Sequence, residues 1–304
     1  MISFLSLKNS VFDMKKSLPL LLGLLSLTLW SCQSQKAQTT DLKVVSYNIR
    51  YDNPDDGINR WGNRLPGVNH FISETDADVM GMQEVLHNQL TDLQTAHPDY
   101  EAYGVGREDG HEAGEYCPVF WKKEKYDVLD KGYFWLSETP ETPGLGWDAA
   151  CERTAVWVVL RDKATLGEFL FINTHFDHRG EVARAKSVDL LLSRIDELAK
   201  GRMVVLTGDF NADPASGVVR SLTDTSNPLA LINTREVAQQ KEGTENSFHD
   251  FGEIPEEKRP LIDYVFVNHK PCTVKTHSII DETDEPDHVY LSDHNPLVVT
   301  LSFE

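Results

Sequence analysis

Residues 203–211, MVVLTGDFN, contain an apolar, β-favouring segment that ends in a glycine and is followed by an aspartate, a phenylalanine and an asparagine. This pattern predicts a buried strand whose end lies at the edge of a sheet. Asp209 and Asn211 are two positions apart, so on extended backbone they face one side while Phe210 points into the packing. A carboxylate and a carboxamide held together indicate a functional site, although an Asx turn that ends the strand explains them equally well.

The segments on either side of this strand alternate between helical and extended patterns. Apolar residues recur at helical spacing over residues 180–200 and predict a helix that ends at Gly201. Short β-patterned runs separated by turn residues fill residues 100–174, whereas residues 233–257 are polar and predict a loop. Further strands are predicted at residues 42–50, 78–85, 261–267 and 296–302, and shorter helices at 64–74, 87–96 and 215–222. We therefore expect a single α/β domain over residues 42–304.

Residues 1–32 predict a signal peptide that is not part of the fold. Residues 18–30 form a leucine-rich apolar run that is short for a membrane span, and Met14 is the better candidate start. Cys32 follows this run and a small residue, which resembles the lipobox of bacterial lipoproteins; an ordinary secretory signal or a short anchor is the alternative. Residues 33–41 predict a polar tether. We expect the protein to be exported and lipid-anchored to the bacterial cell envelope, in the periplasm or at the cell surface.

The composition disfavours nucleic acid as a partner. Hydrophobic residues make up 40% and charged residues 25% of the 304 residues, as in an ordinary globular protein. The formal net charge is −19, and removal of residues 1–31, which hold three lysines and one aspartate, makes it −21. A protein that binds nucleic acid through its phosphates needs positive charge. The carboxylates suit a divalent cation or simply keep the protein soluble, and nucleic acid is disfavoured rather than excluded.

Three cysteines follow Cys32 in the sequence, namely Cys117, Cys151 and Cys272. They lack the C-x-x-C spacing of a structural zinc site, so such a site is not expected. Cys117 and Cys151 could form a disulfide in an exported protein, but the odd count favours separate buried thiols.

Polar residues of catalytic types lie at the predicted ends of strands: Asn48, Glu84, His175, Asp209, Asn211, Asp263, Asp293 and His294. Each of them alone is weak evidence, because a strand-end acid is commonly solvated and a histidine such as His175 is commonly a satisfied core residue. Asp263 is more informative, because an acid at the start of the apolar run IDYVF needs a partner or water. His294 could be that partner, since a carboxylate that orients an imidazole raises its pKa and selects its tautomer.

Six short motifs, SYNIR, MQEV, NTHFDH, GDFN, IDYVF and SDHNP, resemble those of the endonuclease/exonuclease/phosphatase superfamily, the deoxyribonuclease-like fold, and occur in the same order. The resemblance spans residues 42–302, and the segment EYCPVFWKKEKYDVLDKGYFWLSETP also resembles a bacterial exported subgroup of that superfamily. It implies a four-layer α/β sandwich in which two mixed β-sheets pack face to face and helices cover the outside. The α/β pattern is compatible with this sandwich but does not by itself reveal it.

The resemblance implies a divalent metal, Mg2+ or Mn2+, and the hydrolysis of a phosphoester. Such a reaction needs in-line attack by water, relief of negative charge on the phosphate and help for the leaving group. Glu84 is implied as a metal ligand, because a hard cation prefers carboxylate oxygen, and Asn48 and Asp293 are implied to complete or support the ligand shell.

The same resemblance implies roles for the other strand-end residues. Asp209 is expected to orient and deprotonate the water, and Asn211 to hold a phosphate oxygen or the nucleophile. His294, protonated and held by Asp263, is expected to stabilise the developing negative charge. His175 is expected to donate a hydrogen bond to the phosphate or to the leaving oxygen.

Four further residues are candidates for substrate contact. Arg50 stands where many nucleases of the superfamily carry an aspartate, which puts a second metal site in doubt; it contacts substrate phosphate or pairs with a neighbouring acid. Arg153 is likewise a phosphate clamp or a salt-bridge partner. His178 contacts substrate or belongs to plain loop structure, and a separate metal site with Asp177 is the lesser alternative. Trp147, in a loop rich in proline and glycine, stacks on a sugar or lipid headgroup or anchors the loop.

We therefore expect a metal-dependent phosphoester hydrolase, a phosphodiesterase or phosphatase, that acts outside the cytoplasm on a small-molecule, sugar-phosphate or lipid phosphoester. A nuclease is the alternative within this class, and the charge of −21 together with Arg50 counts against it. A non-catalytic binding lipoprotein with the same fold is the alternative from another class, although the expected catalytic side chains are all present. We expect a monomer.

Overall fold

The computed structural model describes residues 39–281 and 289–304. The predicted signal peptide, Cys32 of the predicted lipobox and residues 33–38 of the predicted tether lie outside the described residues. Within the described part of the chain, no helix is both long and apolar enough to cross a membrane.

Short strands alternate with helices along the described chain, as the sequence pattern predicts. The strands are β1 (Thr40–Asn48), β2 (Val79–Gln83), β3 (Tyr100–Tyr103), β4 (Val119–Lys122), β5 (Tyr126–Trp135), β6 (Thr154–Asp162), β7 (Glu168–His175), β8 (Met203–Asp209), β9 (Ile232–Asn233), β10 (Gln240–Gly243), β11 (Asp263–Val267), β12 (Cys272–Ile279) and β13 (Leu297–Phe303). The helices are α1 (Trp61–Thr75), α2 (His87–Ala96), α3 (Glu181–Ala199), α4 (Gly217–Thr223) and α5 (Thr234–Val237), and 3-10 helices span Pro54–Asn59 and Glu256–Lys258.

The strands form two mixed sheets. The first sheet has the order β10-β12-β13-β1-β2-β4-β3, and the second has the order β5-β6-β7-β8-β11-β9. In the first sheet β1 pairs in parallel with β2 and antiparallel with β13. In the second sheet β7 pairs in parallel with β8 and antiparallel with β6. The sheets pack face to face and helices cover their outer faces, so the expected four-layer sandwich is confirmed.

The space between the sheets is filled by apolar side chains from both of them. Val44, Val79 and Trp121 of the first sheet lie in one cluster with Phe171 and Val205 of the second, and all five are fully buried. Such β-branched and aromatic side chains pack well on a pleated surface. Burial of this apolar area is the main favourable contribution to folding.

The outer faces of the sheets are covered by amphipathic helices. Helix α3 buries Val188, Leu191 and Ile195 against the second sheet, at the i, i+3 and i+7 positions of one helical face. Helix α1 buries Val68 and Ile72 against the first sheet. The long helix predicted before β8 is therefore confirmed, and it continues into β8 through a short turn.

Residues 233–257 are not simply a loop, so this part of the prediction was wrong. The short strand β9 pairs with β11, α5 follows it, and β10 pairs in parallel with β12 at the edge of the first sheet. Every residue of β10 is exposed. Its regularity therefore comes from backbone pairing with β12, which no apolar pattern in the sequence reveals. Strand β12 was missed for a related reason, since a bulge between Val274 and Thr276 interrupts its alternation.

The three described cysteines are free thiols. Cys117 is buried, whereas Cys151 and Cys272 are only partly buried. The structure thus agrees with separate thiols rather than a disulfide, and full burial holds for Cys117 alone.

Polar residues at strand ends meet at one edge of the sandwich. Asn48 ends β1 beside the last residue of the parallel strand β2, which Glu84 follows. His175 ends β7 beside Asp209, the last residue of β8. Asp263 begins β11, which is antiparallel to β8, and is paired with Asp209. Because the two sheets face each other, these strand ends place polar side chains from both sheets around one position.

Candidate active site

Asp209, Asp263 and His294 form a fully buried polar cluster at this edge. The pairing of β8 with β11 places the two carboxylates side by side. His294 lies in the loop before β13, and its Nδ1 donates to Oδ2 of Asp263 at 2.8 Å. Its Nε2 lies 3.8 Å from Oδ2 of Asp209. The structure therefore places Asp263 against the imidazole that the sequence suggested as its partner.

Burial and pairing together determine the charges in this cluster. Burial lowers the pKa of His294, but the adjacent Asp263 outweighs it through its charge and hydrogen bond and raises that pKa to about 10. The ring is therefore a cation at neutral pH. Burial, followed by the charge of Asp263, raises the pKa of Asp209 to about 7 against the opposing effect of His294. A carboxyl with such a pKa can exchange a proton near neutral pH.

Asn211 and His175 extend the cluster. Asn211 lies just beyond β8, and its Nδ2 donates to the carbonyl oxygen of Phe176 at 3.0 Å and to Nε2 of His175 at 3.1 Å. Because a carbonyl can only accept, the amide is oriented and Nε2 of His175 is an acceptor, so its Nδ1 carries the proton. Burial above all holds the pKa of His175 well below its usual range. Nε2 is the ring nitrogen on the side of Asp209, from which it lies 3.4 Å away. Donation from His175 to a phosphate in this cluster would need a proton on Nε2, and this tautomer has none there.

Asn48 connects the acids of the two sheets. Its Nδ2 donates to Oε1 of Glu84 and to Oδ2 of Asp209, both at 3.1 Å. Its Oδ1 accepts from the backbone N–H of Arg50 at 3.0 Å. The other carboxylate oxygen of Glu84 accepts from the backbone N–H of Tyr51. The carboxamide of Asn48 thus presents its nitrogen, rather than its oxygen, to the neighbouring acids.

Arg50 is held by two acids. Its Nε and Nη2 donate to the carboxylate of Asp56, both at 2.9 Å, and its Nη1 lies 3.7 Å from Asp293. Burial raises the pKa of Asp293 to about 6; the charge of His294 opposes this shift and that of Glu84 adds to it. Of the two alternatives for Arg50, pairing with a neighbouring acid is the one that the structure shows.

The donor set at this edge fits a divalent cation. Glu84, Asp209 and Asp293 bring three carboxylates to one region, and burial raises the pKa of the last two. Oδ1 of Asp263 is a buried oxygen with no hydrogen-bond partner among the described residues. Carboxylate oxygens are the ligands that Mg2+ and Mn2+ prefer. Ligand atoms of Asp209, Asp263 and His294 lie within 4.8 Å of one another, so a second candidate set lies beside the one predicted from Glu84, Asn48 and Asp293.

Cys151, Asp177 and His178 also place three ligand atoms within 4.8 Å of one another. The carboxylate of Asp177, however, accepts hydrogen bonds from four backbone N–H groups of the two loops that flank it. Arg153 also lies 3.7 Å from this carboxylate. Asp177 therefore anchors loops, which favours plain loop structure over a metal site here.

The remaining candidates for substrate contact are Arg153, His178 and Trp147. Arg153 is buried directly before β6, and its Nη2 lies 3.2 Å from Nδ1 of the exposed His178. Trp147 is half-buried, and its backbone N–H donates to the side chain of Glu138 in the same loop. The latter contact agrees with the loop-anchoring alternative for Trp147.

Sequence reasoning missed three residues of this region. Asp56, which pairs with Arg50, lies in the 3-10 helix Pro54–Asn59, whose sequence shows only turn chemistry. Arg107, which pairs with Glu115, lies in the turn after β3 without a motif. Ser292 donates from Oγ to the backbone oxygen of Asn48 at 2.6 Å. Its position within SDHNP was a signal that could have identified it.

The sequence profile of the Endonuclease/Exonuclease/phosphatase family matches residues 45–294. The match covers most of the chain and includes all the residues of the cluster. The chain therefore belongs to the endonuclease/exonuclease/phosphatase family, whose members are hydrolases.

Two solved structures from Bacteroides resemble this chain over nearly their whole length. The endonuclease/exonuclease/phosphatase of Bacteroides vulgatus is 44% identical, with a TM-score of 0.83 over 87% of this chain and 100% of that one. The mannosyl-6-phosphatase of Bacteroides thetaiotaomicron is 34% identical, with a TM-score of 0.79 over 86% and 99%. The uncharacterized protein R895 of Acanthamoeba polyphaga mimivirus is 24% identical over 213 residues, which are 58% of this chain and 31% of that protein's length.

Proposed function

We propose that this protein is a metal-dependent phosphatase that hydrolyses a sugar phosphate outside the cytoplasm. The observation that carries the proposal is that the buried residues Asp209, Asp263, His294 and Asn48 meet the partly buried Glu84 at one position, with side chains contributed by both sheets. The sugar-phosphate substrate is supported by the likeness to the mannosyl-6-phosphatase. Family membership supports a hydrolase, and the finer substrate class is our inference.

Glu84 and Asp293 would hold Mg2+ or Mn2+ in this site, with Asp209 beside them. A bound cation supplies charge relief for the phosphate oxygens and makes water easier to ionise. We do not assign His294 as a ligand, because it is protonated and donates to Asp263.

The protein's own side chains accept the proton, position the reacting groups and stabilise the developing charge. Asp209, with its pKa raised by burial, accepts the proton of the attacking water. Asn211 and Asn48 keep that carboxylate and the neighbouring His175 in place through their amides. His294 holds its proton because of Asp263 and donates a charged hydrogen bond to the negative oxygens that develop during the reaction.

The location outside the cytoplasm rests on the sequence alone. The apolar run followed by Cys32 supports export and a lipid anchor on the bacterial cell envelope. The anchor would leave residues 42–304 as a monomeric domain on the polar tether. Metabolic labelling with palmitate in the producing cells, compared with Cys32→Ala, tests this part separately from the activity.

The test of the function is steady-state hydrolysis of mannose 6-phosphate by the mature chain with Mg2+ or Mn2+. We expect Asp209→Ala and His294→Ala each to lower kcat/KM by about 10²-fold or more, because each removes a proton-transferring or charge-stabilising group. EDTA should abolish the native activity, and added metal should restore it.

Matched controls are Asp127→Ala and His70→Ala: Asp127 is a half-buried residue of β5 that pairs with Arg161, and His70 is an exposed residue of α1. Both controls should keep the native rate. Native-like activity in the Asp209 and His294 variants would refute the proposal, and so would a folded native protein that hydrolyses no phosphoester with either metal.

A further inference from the structure

Below the candidate active site, the space between the two sheets changes from apolar to polar in steps of two residues. Every second side chain of a strand faces the same side, and β1 with β2 and β7 with β8 are paired in register. The inward-facing residues of these strands form three layers: an apolar layer of Val44, Val79, Phe171 and Val205, a middle layer of Ser46, Gly81, Asn173 and Thr207, and an edge layer of Asn48, Gln83, His175 and Asp209. The middle layer, here called the polar layer, is buried and lies beneath the strand ends that carry the site.

Asn173, on β7, joins the two sheets through the polar layer. Its Oδ1 accepts from Nε2 of Gln83 on β2 at 2.6 Å and from Oγ1 of Thr207 on β8 at 3.0 Å. Its Nδ2 donates to the backbone oxygens of Met82 at 2.6 Å and Pro118 at 3.1 Å, both in the first sheet or directly before it. Four hydrogen bonds are the full capacity of a carboxamide. A buried side chain that is satisfied in this way is rigid and specifies one arrangement of the groups it joins.

Gly81, on β2, allows the two sheets to approach closely at the polar layer. A Cβ atom at this position would lie 2.2 Å from Oγ1 of Thr207 and 2.6 Å from Oδ1 of Asn173. Both distances are far shorter than van der Waals contact. A larger residue here therefore requires β7 and β8 to move away from β2, or the hydrogen bonds between them to break.

The polar layer is connected to acids of both sheets at the site. Gln83 immediately precedes Glu84 in the first sheet, and Thr207 lies two residues before Asp209 in the second. Asn48 spans the gap above them, since its Nδ2 donates to Oε1 of Glu84 and to Oδ2 of Asp209, both at 3.1 Å. A change in the separation of the sheets at this edge therefore breaks at least one of these two hydrogen bonds and alters the distance between the two carboxylates.

We infer that Asn173 is a positioning residue that, together with Thr207 and Gly81, sets the separation of the two sheets at the site and thereby the distance between Glu84 and Asp209. It acts through the strand ends rather than by contact with substrate. The consequence for metal binding rests on the proposed function, in which these two carboxylates lie beside the cation. A hard cation takes its ligands at nearly fixed distances, and loss of a residue that orients metal ligands weakens binding by about 10- to 100-fold.

The first experiment compares crystal structures of the mature chain, Thr207→Val and Thr207→Ser, all without metal. Valine nearly keeps the volume of threonine but lacks the hydroxyl that donates to Asn173, whereas serine keeps the hydroxyl and lacks the methyl group. In Thr207→Val we expect at least one hydrogen bond of Asn48, to Glu84 or to Asp209, to lengthen beyond about 3.5 Å. In Thr207→Ser both should remain as in the native chain.

The second experiment titrates Mn2+ calorimetrically into the same proteins and needs no turnover. Thr207→Val and Gly81→Ala should each weaken binding by about tenfold, and Asn173→Leu, which has a similar volume and none of the four hydrogen bonds, should weaken it further. Thr207→Ser should bind as the native chain does. The control is Thr174→Val, which removes a buried hydroxyl from the opposite face of β7, where it donates to the backbone oxygen of Thr154 at 3.0 Å. It should also bind Mn2+ as the native chain does.

A purely structural role of the polar layer predicts that metal affinity follows stability, which urea unfolding measures for each variant. The inference is wrong if Thr174→Val or Thr207→Ser weakens Mn2+ binding as much as Thr207→Val, or if Thr207→Val binds Mn2+ and keeps both hydrogen bonds of Asn48 as the native chain does. If Asn173→Leu or Gly81→Ala does not fold, Thr207→Val decides, because it removes one hydroxyl and adds no bulk. If the native chain binds no Mn2+ while Thr207→Val still breaks a hydrogen bond of Asn48, the metal-dependent function fails and the positioning role stands.

Discussion

Backbone conformation distinguishes three residues of the candidate active site. Glu84, Arg50 and Asn211 have left-handed φ angles of 62°, 56° and 47°. Each non-glycine residue in this region costs about 1 kcal/mol or more, and such residues persist where the surroundings determine them. Each of the three lies just beyond a strand, and hydrogen bonds hold its side chain at the site. The strained backbone conformations therefore occur at positions whose side chains are directed toward the site.

The crowding of acids around Glu84 leads to a prediction about metal binding that does not depend on turnover. Mg2+ should raise the melting temperature of the native protein by about 5 °C at a hundredfold excess over its dissociation constant, because it binds only the folded state. Glu84→Gln should lose most of this increase, because it lacks a charged ligand. Without metal it should melt no lower than the native protein, since one repelling carboxylate is gone. Differential scanning calorimetry with MgCl2 and with EDTA measures both effects.

Glu101→Gln is the control for this experiment, because Glu101 is an exposed acid on β3. It should respond to Mg2+ as the native protein does. An undiminished response of Glu84→Gln would remove Glu84 from the ligand set.

At the level of elements, the catalytic edge depends on strand pairing, whereas the far part of the first sheet depends on a buried histidine. Nδ1 of His277, on β12, lies 2.9 Å from Oγ1 of Thr234 at the start of α5. The same hydroxyl donates to the backbone oxygen of Val265 on β11 at 2.8 Å, so it accepts from the imidazole. His277 thus connects a helix and strands from both sheets without a charge.

This contact predicts that stability falls in mild acid. Burial, then the charges of Arg235 and Lys241, lowers the pKa of His277 to about 3. In the unfolded chain this histidine has an ordinary pKa of about 6.5 and binds a proton below that pH, whereas in the folded chain it stays neutral down to about pH 3. The free energy of unfolding therefore decreases as the pH falls from about 6.5 toward 3. From pH 7 to pH 5 the loss from this residue is about 2 kcal/mol. Urea unfolding at both pH values should therefore show a smaller decrease for His277→Gln than for the native protein, by about that amount.

The comparison uses the difference between the two pH values, so any fixed destabilisation by the substitution cancels. His70→Gln, at an exposed position of α1, should keep the native pH dependence. If His277→Gln shows the same decrease as the native protein, His277 is not buried in its neutral form.

For the whole molecule, the net charge limits the choice of substrate. The chain carries 48 acidic and 29 basic residues. Of the arginines at the site, Arg50 pairs with Asp56 and Arg107 pairs with Glu115, so their charge is largely compensated within the protein. A small phosphoester carries one or two charges toward this acidic chain, whereas a duplex brings a long row of phosphates that it repels.

The predicted consequence is weak binding to DNA. The mature chain should bind a fluorescein-labelled 20-base-pair duplex with a dissociation constant above about 100 μM at 150 mM salt, because few phosphates are neutralised on contact. Fluorescence anisotropy measures this, and a series down to 20 mM salt tests for a local basic patch. Micromolar binding at 150 mM salt would restore the nuclease alternative.

Much of the candidate site was predictable because its residues lie in short segments with a local pattern. GDFN, MQEV and IDYVF each combine an apolar strand with a polar end, and the polarity of a strand end follows from spacing alone. Their order along the chain identified the superfamily and, through it, the sandwich. Periodicity also predicted α3 and β8, because both elements are long or strongly apolar.

The sequence by itself determined which residues end strands and what chemistry those residue types can support. Only the tertiary structure decided which side chains meet. The tautomer of His175, the hydrogen bond from Asn48 to Asp209 and the contact of Arg153 with His178 depend on segments that approach each other from distant parts of the chain. Contacts of this kind are set by packing between sheets, and no spacing along the chain encodes them. MVVLTGDFN thus predicted a polar strand end, while the facing sheet, which brings Asn48 and Glu84 to Asp209, made it part of a site.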